Sequence, residues 1–336
     1  MILLLPSLIK EGVQHISLHD TNPITKYLLL VTVLVRSLVI ICAIAFRIKR
    51  ECRMLRIYRE LEQLERTYFR RYQDASPCNV SKLNRLFHAS IIITICHIGI
   101  ILLSNKEAYL SGKWDLQLMA VYVVLITNLM YGVFFHYFLV LWHICKRFAA
   151  LNAILMHINQ KIVNYAVRCP CKSLHEFCSV QKQLTDLVTN LRDTYKYDMF
   201  LLVCTYFINS VTQGYIVVLT QNCRCVYVPP EHIILGGIVY FLLMMHMYIF
   251  DLLSEMPTII SEDIFLALKS FAEIKTHNVE VERHCNWLAF QLFRNIMRMN
   301  IFGMLNIDRK QIFLMISQIL LYTIFILQGD YNNIWK

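Results

Sequence analysis

Three observations predict an all-α, polytopic helical membrane protein. Apolar residues make up 57% of the 336-residue chain and charged residues only 17%, where an average soluble domain carries roughly 25% charged residues. Six apolar stretches, residues 27–46, 86–104, 116–144, 199–220, 232–250 and 311–328, reach or approach the ~20 residues that a helix needs to cross the hydrocarbon layer. The segments that join them alternate between rich and poor in Lys and Arg. No internal repeat, low-complexity tract or Pro-rich linker divides the chain, so residues 27–336 read as one membrane domain, preceded by an N-terminal segment at 1–26.

Within that segment, Met1–Ile9 is apolar but too short to span and is interrupted by Pro6. It has neither the basic leader nor the small-residue cleavage site of a signal peptide, and is expected to be the stub of a first helix. The first full span, 27–46, carries Arg36 at its middle. A charge there costs about 2.5 kcal/mol or more on insertion scales, so Arg36 should pair inside the bundle or snorkel.

The basic residues set the orientation. Segments 47–85, 145–198 and 251–310 hold eleven, eight and seven Lys and Arg, whereas 1–26, 105–115, 221–231 and 329–336 hold two, two, one and one. The positive-inside rule places the first three in the cytoplasm and the C-terminus outside. A G-protein-coupled receptor has its C-terminus inside, and neither its Asp-Arg-Tyr nor its Asn-Pro-x-x-Tyr string occurs here.

The cytoplasmic segments have helical periodicity. In 47–85, Leu55, Leu61 and Leu64 are expected to share a face with Tyr58 and Tyr68, with Arg and Glu over the remainder and the basic residues near anionic lipid. In 145–198, Leu151, Leu155, Ile158 and Ile162, then Leu184, Leu187, Val188 and Leu191, suggest a helical hairpin that continues the spans past the bilayer. In 251–310, Trp287, Phe290, Phe293 and Ile296 form a stripe leading to Gly303 and the polar turn Asp308-Arg309.

The last span, QIFLMISQILLYTIFILQ, ends in Tyr322, five apolar or hydroxyl residues and Gln328. An amide near the end of a spanning helix requires water or a neighbouring subunit to hydrogen-bond it. Tyr322 and Gln328 at this spacing, with Gly303 upstream and Arg147-Phe148 before Leu151-Asn152, resemble the closing signature of insect gustatory receptors: Thr-Tyr, five hydrophobic residues, Gln-Phe. Leu321 stands where that signature has Thr, and Gly329 where it has Phe.

The resemblance implies a seven-helix chemoreceptor with its C-terminus outside. It would sit in the plasma membrane of sensory neurons as a tastant-gated, non-selective cation channel, a homotetramer or a heterotetramer with related receptors. Four last helices would surround the ion path, with Gln328 facing it and Ile324 and Leu321 behind as a hydrophobic constriction. Tyr322 and Gly303 would be packing residues. Sugar-sensing members tend to carry Glu after the motif's Tyr. Thr323 takes that place here and favours a bitter or repellent ligand. By depth, the outer half of the bundle would supply a small-molecule pocket from His97, Tyr122, Asn128, Gln213, Tyr215 and Tyr240. The rival readings are a transporter or another membrane protein without its own pore, and a truncated, non-functional receptor.

No catalytic, cofactor or nucleic-acid pattern competes. The chain has no Gly-x-Ser-x-Gly, phosphate-cradling Gly loop or His-Glu-x-x-His. Cys169-Pro-Cys171 lacks a second pair at zinc spacing, and a bridge between Cys223 and Cys225 would be strained. His97, His136 and His246 within spans are expected to be bundle histidines satisfied by neighbours. Cofactors and metals are expected to be absent.

Overall fold

The computed structural model describes residues 23–72, 80–110, 112–163, 170–222, 230–273, 283, 286–287, 290, 300–301, 305–306 and 309–329. Residues 1–22, Gly303, Cys169, Asp308 and the Cys223–Cys225 pair lie outside them, and with them the expected first-helix stub. The chain runs α1 (Pro23–Ala45), α2 (Arg47–Thr67), a 3-10 turn (Phe69–Tyr72), α3 (Val80–Ser104), α4 (Lys106–Leu110), α5 (Trp114–Val163), α6 (Pro170–Asn222), α7 (Pro230–Glu273), a hairpin of β1 (Asn300–Ile301) and β2 (Leu305–Asn306), and α8 (Arg309–Gly329). The two short strands pair antiparallel, Asn300 opposite Asn306.

Three helices are too long for a bilayer. At 50, 53 and 44 residues, α5, α6 and α7 measure roughly 75, 80 and 66 Å at 1.5 Å per residue, against a hydrocarbon layer of about 30 Å. More than half of each therefore projects beyond the membrane. Among the described residues, Val80–Leu103, Ala120–Ile158 and Ile234–Ala267 are long and apolar enough to cross unaided, and α1 with α2, bent by 58° at Phe46, makes a fourth if the pair is one span. Phe313–Gly329 is a shorter apolar helix. The expected span 199–220 lies within α6, its apolarity reduced by Asn209, Ser210, Thr212 and Gln213.

α6 is the central post. It packs against α1, α2, α5, α7 and α8, and its one large apolar side chain exposed among the described residues is Tyr197. By contrast α1, α3, α5, α7 and α8 each present exposed apolar residues, Leu34, Ile95, Leu125, Phe241 and Phe325 among them. This belt suits lipid, and a helix kept from lipid can afford polar residues on its faces.

The densest core sits where the C-terminal half of α5 packs against the N-terminal half of α6. Phe148, Leu151 and Leu155 of α5 meet Leu174, Phe177, Leu184 and Leu191 of α6, all fully buried, joined by Leu253 and Ile264 of α7. The hairpin expected in 145–198 is thus the C-terminal half of α5 against the N-terminal half of α6. α2 closes this core with Met54, Ile57, Leu61 and Leu64, and Tyr68 follows. Leu55 does not share that face. It is 56% exposed, because the buried stripe steps by three and four residues from Met54 and leaves position 55 on the far side. Trp287 and Phe290 are exposed, and Phe293 and Ile296 lie outside the described residues.

Charges tie α2 to α6 and to α5. Arg50 donates to Asp198 Oδ2 at 3.0 Å with both side chains nearly buried, and Arg147 pairs with Glu65 at 2.7 Å. Burial pushes the Asp198 carboxyl above the usual carboxylate range, and Arg50 pulls it back. Removing one partner of a buried pair strands the other, at about 3–5 kcal/mol. Arg50→Ala should therefore lower the melting temperature of the detergent-solubilised protein more than Arg50→Met combined with Asp198→Leu. The reverse order in a thermal-unfolding assay would mean that the pair adds nothing to the docking of α2.

Candidate functional site

Two sets of residues stand apart from the apolar packing. The first is a run of polar side chains near the middle of the apolar stretches. Arg36 of α1 donates to Asn209 Oδ1 of α6 at 3.2 Å, and one turn away the Thr32 and Thr212 hydroxyls are 3.5 Å apart. The spacings 32/36 and 209/212 set both pairs on facing stripes of two antiparallel helices. Arg36 thus finds an amide inside the bundle.

Tyr131 of α5 extends the set. Its hydroxyl lies 2.7 Å from His97 Nδ1 on α3 and is in hydrogen-bond contact with Tyr206 of α6. Its ring also meets the edge of His246 on α7 at a centroid distance of 5.1 Å. His246 is 2% exposed and tilted against Phe134 at a centroid distance of 4.7 Å, yet neither ring nitrogen has a hydrogen-bond partner among the described residues. A buried donor or acceptor left unpaired costs about 1–3 kcal/mol, so the four-helix junction of His97, Tyr131, Tyr206 and His246 holds an unmet capacity for one more polar group.

Of the residues expected to form an outer pocket, His97 belongs to this junction. Tyr122 instead faces α1, its hydroxyl 3.5 Å from Ser37 Oγ. Gln213 reaches toward α7 at Gly236, Tyr215 is fully buried, Tyr240 is half-buried and Asn128 is exposed. None of the contacts named here joins two of the six. His136 lies elsewhere, its Nδ1 2.7 Å from the Tyr195 hydroxyl. Tyr131, Tyr206 and Asn209 were missed, because a Tyr or Asn inside an apolar run reads as ordinary until its partner on another helix is known.

The second set is on α8. This helix buries Met315, Ile319 and Thr323 at i, i+4 and i+8, and Ile326 and Leu327 are half-buried. Ser317, Leu321, Ile324 and Gln328, at i, i+4, i+7 and i+11, form a second stripe that is exposed along its length. Leu321 is 65% exposed. Tyr322 packs edge-on against Phe207 of α6 at 5.7 Å. Next to it, Thr323 Oγ1 donates to the Ile319 carbonyl at 2.7 Å, and α6 approaches so closely that a Cβ on Gly214 would lie 3.1 Å from that hydroxyl and 3.3 Å from its methyl.

This architecture has known counterparts. A family model described as 7tm chemosensory receptor matches residues 2–333. The chain belongs to the 7tm chemosensory receptor family. The insect olfactory receptor OR5 from Machilis hrabei superposes with a TM-score of 0.68 at 12% identity, covering 97% of this chain and 88% of that one. The same receptor in complex with eugenol gives the same values. No curated protein matches the chain in sequence. The fold of this chemosensory receptor is therefore that of a polytopic insect receptor, and its membrane residence follows from the family and the apolar belt together.

The contact between Gly214 and Thr323 gives the receptor a sharp test of how α8 docks. Gly214→Ala should destabilise by about 1–3 kcal/mol, as overpacking does, and Thr323→Ala should remove most of that penalty in the double variant. Thermal melts of the four proteins measure this coupling. Additive losses would show that α8 does not rest on α6 at this point.

Proposed function

We propose that this receptor is a ligand-gated, non-selective cation channel acting in taste, in the plasma membrane of sensory neurons, with its C-terminus outside. Four copies, or copies with related subunits, bring their α8 helices around one ion path. Gln328 faces that path, with Ile324 and Leu321 forming the apolar constriction behind it.

The observation that carries this reading is the open face of α8. One edge of the helix docks on its own chain, and an exposed stripe of Ser317, Leu321, Ile324 and Gln328 is left. The Ser317 hydroxyl donates to the Phe313 carbonyl, but lipid would leave the Gln328 amide unsolvated, whereas a water-filled path between copies hydrates it. The likeness in fold to an olfactory receptor supports the class.

The junction of His97, Tyr131, Tyr206 and His246 is the proposed ligand site. It combines aromatic walls with the unpaired nitrogens of His246, the character of a small-molecule pocket. A ligand opens the channel to the extent that it binds the open state better. Thr323, tight against Gly214 where a Glu would not fit, supports a bitter or repellent tastant over a sugar. A volatile odorant is the second reading, favoured by the eugenol-bound relative.

Whole-cell recording with a panel of tastants and odorants tests both readings. Gln328→Ala should leave ligand-evoked current in place but change its ion selectivity or its block. Unaltered permeation would remove α8 from the path. His246→Phe should raise the ligand concentration for half-maximal current about tenfold while stabilising the unliganded protein, since it removes two unpaired buried nitrogens. A histidine that serves packing alone would instead leave the dose-response curve unmoved.

A further inference from the structure

At the cytoplasmic end, the 58° bend at Phe46 swings α2 away from the axis of α1 and opens a cavity of about 480 Å³ between α2 and α6. Its α2 wall carries Lys49, Arg53 and Arg56 at i, i+4 and i+7, a spacing that aligns three cations on one face over roughly 10 Å. Lys196 stands on the α6 wall.

The cavity's carboxylates do not neutralise that row. Asp198 is held by Arg50, Asp193 lies 3.3 Å from Arg192, and Glu60, one turn beyond Arg56 on the same face, offsets at most one of the three cations. Lys49, Arg53 and Arg56 make no ion pair or hydrogen bond among the described residues. Stacked rings of Phe46 and Tyr197, 5.7 Å apart and 14° from parallel, form the other end. Phe46 closes the apolar run of α1, so on the positive-inside orientation this end meets the inner face of the bilayer.

We infer that this cavity binds a ligand bearing clustered phosphomonoesters, such as the inositol polyphosphate headgroup of a membrane lipid or its soluble counterpart. Each phosphomonoester carries about −1.5 to −2 charges at neutral pH, so two are needed to match a row of three cations. A single phosphodiester headgroup is too weakly charged for it. Phe46 and Tyr197 stack on each other and leave no slot between them for a nucleotide base. A volume of 480 Å³ falls in the range of small-molecule pockets, about 300–1,000 Å³. The mouth at the bilayer surface suits a headgroup whose acyl chains remain in the membrane. Bound there, the ligand would bridge α2 to α6, the two walls that the Arg50–Asp198 pair already joins.

Full-length receptor is reconstituted in phosphatidylcholine nanodiscs with 5% phosphatidylinositol 4,5-bisphosphate, with 5% phosphatidylserine, or with neither lipid plus free inositol hexakisphosphate, and binding is read by native mass spectrometry and thermal shift. Saturable binding of the bisphosphate lipid, of inositol hexakisphosphate, or of both is expected, the two arms telling lipid from soluble source. Arg53→Ala with Arg56→Ala should weaken it by at least about tenfold. Arg53→Lys with Arg56→Lys should retain most of it. Arg59→Ala with Arg70→Ala, at exposed residues outside the cavity, should change it less than twofold. Unchanged melting temperature without ligand separates lost binding from lost fold. Equal loss in the Arg59/Arg70 variant, equal binding of phosphatidylserine, or no saturable binding in the wild type would each overturn the assignment.

Discussion

The driving force that packs helices together differs at the two ends of this molecule, and the architecture follows from that difference. In water, burying an apolar side chain such as Leu or Phe is worth roughly 1.5–3 kcal/mol. In lipid the tails are as apolar as the side chains, and that gain disappears. The fully buried Phe148, Leu151, Leu155, Leu174, Phe177, Leu184 and Leu191 accordingly collect where α5 and α6 leave the bilayer. This end of the bundle behaves as a small helical domain that holds the membrane half in register. Its charge pairs, Arg50 with Asp198 and Arg147 with Glu65, bind α2 to it.

Within the membrane half, contact must come from close approach and from polar groups that have no other partner. Gly214 lets α6 and α8 come within a side-chain methyl of each other. Arg36 with Asn209, Thr32 with Thr212, and Tyr131 with His97 tie three further helices to the same centre. Polar contacts inside a bundle are individually modest, averaging about 0.6 kcal/mol. They are also specific, and a polar run through a lipid-embedded bundle fixes which face of each helix points inward.

The sequence made the architecture legible because lipid imposes a coarse rule: twenty apolar residues and a charge bias are visible without any knowledge of partners. Gln311–Gln328 and the alternation of Lys and Arg were enough to predict the membrane bundle. The lengths of α5 and α6 were legible too, since Leu151, Leu155 and Ile158 and then Leu184, Leu187 and Leu191 continue the helical period beyond the spans. The polar junction was not. Depth along a span can be counted, but the rotation of a helix about its axis cannot, so depth alone could not foresee that Tyr122 faces Ser37 of α1 or that Asn128 is exposed. Leu55 failed for the same reason at smaller scale. Its neighbour Met54 begins the buried stripe, and both residues are equally apolar on paper.

α6 is where the polar junction and the exposed stripe of α8 come closest. Tyr206 contacts Tyr131, and the next residue, Phe207, packs on Tyr322. Neighbouring residues of a helix point about 100° apart, so one turn of α6 carries the junction on one side and α8 on the other. Spatial intermediacy alone does not establish coupling. The physical requirement is that α6 have two positions, each favoured by a different arrangement at the junction. A shift of α6 toward α8 would be felt at Gly214, where the space facing Thr323 is too small for even one added methyl group. A ligand that fills the unmet hydrogen-bonding capacity of His246 would act on α7, which packs against both α6 and α8. On the proposed channel reading, the tightness of the α6–α8 contact, more than the identity of any pore residue, would turn a small displacement at mid-membrane into a movement of the last helix.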